Sequence, residues 1–197
     1  MKTNEDEFDS EQDIDGDSII SETSKESLTD SSSPSNTSLI TSISKTLNLV
    51  LEQNKNLNDY NQIVISQSKM VFSAKSIPKI SLLDYLNRIQ TYCNIEYSTL
   101  ICSLIFVDRI CEIAGITLTY YNIHRILFVA ILISIKYNED RYYENVYYAK
   151  IAGISSRELK NIEYDFLVII NFELFISEDE YLKYKKYLEN FYEQLNE

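Results

Sequence analysis

Apolar residues set out a series of helices. Ile40, Ile43, Leu47, Val50, Leu51 and Leu57 recur at steps that predict an amphipathic helix over about 38–58. A looser segment, 61–77, leads to Pro78. Ser81, with Asp84 three residues on, then opens a helix whose stripe is Leu82, Tyr85, Leu86, Ile89 and Cys93. The helix over about 97–114 is apolar over most of its surface, and Gly115 is placed to stop it. Thr119 is a candidate cap for the next, over about 120–137. After the loop "NEDR" a short helix ends before Gly153, and Ser155 with Glu158 forms another capping box. Leu159, Ile162, Phe166, Leu167 and Ile170 stripe the helix that follows. Ser177 and Glu180 cap a last one, about 178–195, with Tyr181, Tyr184, Leu188 and Tyr192 inward.

The fold class is therefore all-α, with five compact helices between 81 and 172 and one helix on either side. Two of the five are apolar nearly all round, which favours a bundle built about a central helix. The densest block, Ile126 to Ile135, is ten residues between Arg125 and Lys136. A membrane span needs about 20, so a buried helix is the better reading. Three glycines and two prolines argue against a turn-rich β fold.

Charge is unevenly spread. Residues 1–40 hold eleven Asp or Glu against Lys2 and Lys25, whereas the remainder holds 19 acids and 16 bases. The folded part lacks the basic face that tracking phosphates requires, so no nucleic-acid partner is expected. Residues 1–37, acidic and rich in serine, read as a disordered tail. Ser33, before Pro34, is a candidate proline-directed phosphorylation site. The acidic start has no hydrophobic signal region, so an intracellular protein with no membrane partner is expected.

Catalytic chemistry is sparse. His124 is the one histidine, and Cys93, Cys102 and Cys111, nine residues apart, suit neither a zinc site nor a redox pair. They read as buried free thiols. There is no Gly-rich phosphate loop, and neither an enzyme nor a cofactor is expected.

The informative residues are charges within apolar stripes. Asp108 reads as an interior carboxylate satisfied by Arg88, Arg109 or a helix N-terminus. Lys136 reads singly as a helix C-terminal cation, and Glu163 as a residue at the edge of the core. Together, framed by large apolar residues, the last two also fit the rim of an interface awaiting a partner.

The runs "PKISLLDYLNRIQTYC", "LIFVDRI", "NIHRILFVAILISIKYNED" and "NVYYAKIAGISSRELKNIEYDFLVIINFEL" resemble a cyclin box, specifically that of the P/U-type cyclins, and the likeness covers about 38–176. The resemblance implies a five-helix cyclin box at 78–176, an N-terminal helix and connector at 38–77, and a C-terminal helix at 177–197. It also implies a regulatory subunit that binds and activates a cyclin-dependent kinase as a heterodimer in the nucleus or cytoplasm. The family's central kinase contacts, a lysine and a glutamate, fall on Lys136 and Glu163, with Tyr137, Leu167 and Phe172 as apolar contacts. The mainly structural aspartate, leucine and first-helix arginine fall on Asp108, Leu127 and Arg88.

Two departures stand out. The substrate-docking motif of cell-cycle cyclins is not recognisable in "SLLDYLNRIQTY", and the chain leaves no room for a second box. P/U-type members serve nutrient signalling, cell-cycle progression and morphogenesis, and the resemblance leaves these open. The competing readings are a kinase-independent adaptor, a DNA-binding cyclin fold of the transcription-factor kind, and a thiol enzyme built on Cys111 or His124.

Overall fold

The computed structural model describes residues 36–67 and 70–194. They form α1 (Asn36–Lys55), α2 (Tyr60–Gln67), α3 (Leu82–Cys93), α4 (Tyr97–Ala114), α5 (Ile123–Asn138), α6 (Asn145–Ala152), α7 (Ser156–Ile169) and α8 (Glu178–Gln194). The fold is all-α, as the sequence predicts, and α3 to α7 are the five compact helices. Ser33 and most of the acidic tail lie outside the described residues.

The all-round apolar block becomes α5, and it is enclosed as such a helix must be. Every residue from Ile126 to Ile135 is buried, and Leu127 is fully so. It packs on α4, α6 and α7. Each such Leu, Ile or Phe contributes about 1.5–3 kcal/mol by leaving water. α1 lays Leu39, Ile40, Ile43, Leu47 and Leu51 against α3 and α8, and these residues belong to the same core as α5.

Helix ends follow local chemistry. The Ser81 hydroxyl accepts from the Asp84 N–H at 3.1 Å and donates to its carboxylate at 2.6 Å. Ser155 and Ser177 accept from the N–H groups of Glu158 and Glu180. The two glutamates do not fold back on their own caps. Glu158 pairs with Arg125 of α5 at 2.6 Å and Glu180 with Arg109 of α4 at 3.2 Å, so each serves as an inter-helix tie. Gly115 and Gly153 close α4 and α6 with φ of 61° and 74°, a conformation that costs other residues more.

Several local expectations are corrected. α1 ends at Lys55, so Leu57 leaves the apolar stripe and is exposed. The looser segment contains α2, which buries no residue and so shows no usable stripe. α5 begins at Ile123 and not at 120. Thr119 opens a preceding turn, in which its N–H donates to the Asn122 side chain at 2.8 Å and its carbonyl accepts from the N–H groups of Asn122 and Ile123.

Asp108 is not interior. It is exposed at a cleft where α1, α4 and α8 do not close on one another, and its partner is the Tyr184 hydroxyl at 2.6 Å. Partial enclosure raises its carboxyl above the usual carboxylate range, against the opposing effect of that hydrogen bond. Neither arginine expected to satisfy it does so. Arg88 donates to the Lys150 carbonyl at 3.0 Å, tying α3 to the last turn of α6. Arg109 is held by Glu180 and by carbonyls after α7.

Candidate functional site

Three helices converge on Lys136. It lies in the last turn of α5, where its stem emerges from the core and its charge meets the negative end of the helix dipole. Glu163 is one residue past Ile162, which is buried in α7, and its carboxylate turns toward the lysine. The two meet at 2.5 Å, with side chains only 26% and 14% exposed. Asn145, the first residue of α6, closes the arrangement. Its carbonyl oxygen accepts from Lys136 Nζ at 2.6 Å and its amide donates to Glu163 Oε2 at 2.8 Å.

The sequence thus singled out two of three members. Asn145 reads as an ordinary helix-opening residue, and only spatial proximity gives it a role. The lysine's three donors are partly used, and the glutamate's two oxygens accept one bond each from these partners. A satisfied pair of this kind holds its geometry while keeping capacity for further hydrogen bonds.

Large apolar side chains frame the network. Tyr137, next to Lys136, is exposed, and Leu167, one helical turn past Glu163, is half-buried. Phe172 is 59% exposed in a left-handed conformation, φ 55°, directly after Asn171 at φ 54°. Asparagine tolerates that region; for phenylalanine it is an outlier costing about 1–2 kcal/mol. Two hydrogen bonds hold the turn, from the Phe172 N–H to the Leu167 carbonyl at 2.8 Å and from the Asn171 N–H to the Val168 carbonyl at 3.0 Å. The strained turn fixes an aromatic ring in water beyond the end of α7.

The other titratable candidates do not assemble a reaction centre. Burial pushes the Cys93 and Cys111 thiols up to about 12, away from nucleophilic character at neutral pH. All three cysteines are free. His124 is buried beside Tyr85, with Nε2 at 3.2 Å from the Ile80 carbonyl. Among the described residues no cluster of three or more His, Cys, Asp or Glu could hold a metal. No helix among them is long and apolar enough to cross a membrane.

Comparison with known proteins bears on the same region. A family model described as Cyclin matches residues 16–174. The chain is 32% identical over 157 residues to Cyclin-U4-1 of Arabidopsis thaliana, covering 78% of each chain. It is 32% identical over 173 residues to PHO85 cyclin-7 of Saccharomyces cerevisiae, covering 78% of this chain and 61% of that one. It is 37% identical over 127 residues to PHO85 cyclin-like protein psl1 of Schizosaccharomyces pombe, covering 64% and 52%. It therefore spans less than two thirds of either yeast protein.

Proposed function

Because the chain belongs to the cyclin family, as a single-box member of its P/U type, we propose that it is a regulatory subunit that binds and activates a cyclin-dependent protein kinase. The observation that carries this reading is the Lys136–Asn145–Glu163 network, set among exposed Tyr137, exposed Phe172 and half-buried Leu167. A polar network bordered by exposed aromatic side chains fits an interface in which aromatic anchors make the contact and a few charged groups at their edge give direction. Beyond residue 40 the chain holds 19 acids against 16 bases, and a nucleic-acid partner is not part of the reading.

The chain performs no reaction itself. Kinase chemistry requires a β-strand lysine to pair with a glutamate on the kinase's own C helix. A partner that binds more tightly when that helix is turned inward shifts the kinase toward its active state by the ratio of the two affinities. Lys136 and Glu163 supply directional bonds to the kinase surface, and Tyr137, Leu167 and Phe172 supply the apolar contact that excludes water from them. The two yeast relatives carry PHO85 and cyclin in their names, which fits the kinase partner that the family resemblance implies. The assembly is a heterodimer in the nucleus or cytoplasm.

The test is binding and activation of a panel of purified cyclin-dependent kinases, PHO85 included. Lys136→Ala combined with Glu163→Ala should weaken binding at least about tenfold and abolish activation, with a helical circular dichroism spectrum retained. Wild-type affinity in that folded double variant would refute the proposal.

A further inference from the structure

The cleft that α1, α4 and α8 leave open measures 390 Å³, a size that encloses small organic ligands. None of these helices carries Lys136, Asn145 or Glu163. The lining is mainly aliphatic: Leu47 of α1, Leu104 and Val107 of α4 and Leu188 of α8 belong to the core and still border the opening.

Polar groups in the cleft are few, and they are incompletely matched. Asp108 accepts from the Tyr184 hydroxyl through Oδ2, and Lys183 of α8, which is exposed, lines the same space. Among the described residues neither charge has an ion-pair partner. Arg109, next to Asp108, is committed to Glu180 and to carbonyls after α7. Partial burial raises the Asp108 carboxyl, the Tyr184 bond opposes that rise, and Glu112 one turn further along α4 adds to it. A bound cation would offset both causes of the rise. Thr46 of α1 also lines the cleft, and its hydroxyl oxygen is buried with no hydrogen-bond partner. Such an orphan is costly unless a ligand's polar atom satisfies it.

We propose that this cleft binds an apolar amino acid, with its ammonium on Asp108, its carboxylate on Lys183 and its side chain against the aliphatic lining. The pair of unmatched charges selects the head group. A simple carboxylic acid would pair with Lys183 and leave Asp108 facing a like charge, and a simple amine would do the reverse. A hydrocarbon would bury the polar groups without partners. A zwitterion matches both charges, and the Thr46 hydroxyl can donate to its carboxylate or accept from its ammonium. The site is separate from the kinase-binding reading, and its test needs no kinase.

Isothermal titration calorimetry of the full chain with L-leucine, L-phenylalanine and L-tryptophan tests the proposal directly. At least one should bind saturably with a Kd of about 1 mM or tighter, an efficiency within reach of ligands this small. Glycine lacks the apolar body, 3-methylbutylamine lacks the carboxylate of leucine, and 4-methylpentanoate lacks its ammonium. Each should bind at least about tenfold more weakly than the tightest amino acid. Asp108→Asn, which keeps an acceptor for Tyr184, and Lys183→Ala should each weaken that amino acid about tenfold with an unchanged circular dichroism spectrum. No saturable binding by any of the three amino acids would overturn the proposal. So would equal affinity for the amine or the carboxylate, or full affinity in both folded variants.

Discussion

Lys136 of α5 and Glu163 of α7 are joined twice, directly at 2.5 Å and again through the amide of Asn145. The second link makes the pair a closed network, and one part cannot be removed without stranding another. Asn145→Ala should lower stability by about 1–3 kcal/mol, because a partly buried donor and acceptor lose their partner together. Lys136→Met should cost a similar amount by leaving the Glu163 carboxylate uncompensated, and adding Glu163→Leu should recover most of it. Urea denaturation of the single and double variants measures the coupling. Strict additivity of the two losses would contradict the network.

Phe172 places strain and exposure at the same position. Phe172→Gly removes a costly left-handed phenylalanine and a ring that is mostly in water. Its thermal midpoint should stay level or rise, the relief of about 1 kcal/mol offset in part by glycine's greater chain entropy. Kinase binding should fall. A variant that loses stability would show that the ring supports the fold.

Leu127 tests the central helix. It is fully buried in α5, so Leu127→Ala should cost about 2–5 kcal/mol through lost burial and the cavity left behind. The fraction still folded should bind a kinase with unchanged affinity. A loss below about 1 kcal/mol in denaturant unfolding would contradict the close enclosure of this helix.

His124 gives the fold a dependence on acid. Burial lowers its pKa below the usual 6.5, against the opposing effect of the hydrogen bond to the Ile80 carbonyl. A carbonyl needs a donor, so Nε2 carries the proton in the neutral ring. Nδ1 is buried without a partner, and protonating it would put an unsatisfied N–H into the core. The unfolded chain therefore binds a proton first, and stability falls as pH drops through 6.5 toward the lower folded-state value. His124→Gln should flatten this part of the stability profile between pH 7 and 5, read by urea unfolding at each pH. An unchanged slope would assign the acid sensitivity elsewhere.

The core helices were legible because their signals are local and redundant. A block such as Ile126 to Ile135, apolar on every face, has one comfortable location in a protein, and Ser81, Ser155 and Gly153 mark boundaries by chemistry confined to a few residues. α2 was not legible, because a helix that buries nothing leaves no periodic trace. The start of α5 was misplaced because Asn122 turns its side chain back, accepting from the Thr119 N–H and donating to the Thr117 carbonyl, and so stabilises a turn in place of another helical residue. At the candidate site, Lys136 and Glu163 stood out as charges among apolar neighbours. Asn145 did not, since its partners are side chains of other helices; Arg109 stood out as a charge in an apolar run, but its partners, 64 to 71 residues away, were not readable. Asp108 was misjudged for the same reason: its partner, Tyr184, lies 76 residues away.

α1 is attached at both ends by side-chain amides. Asn36 donates to the Ile95 carbonyl and Asn54 to the Leu118 carbonyl, each at 3.0 Å, while the apolar face between them completes the core. The stretch that carries the family likeness most densely, from Pro78 onward, is thus smaller than the unit that folds. A protein trimmed to that stretch would bare the sides of α3 and α8 that α1 now covers, and would be expected to self-associate through them. For this chain, α1 is thus expected to be needed in any version that folds on its own.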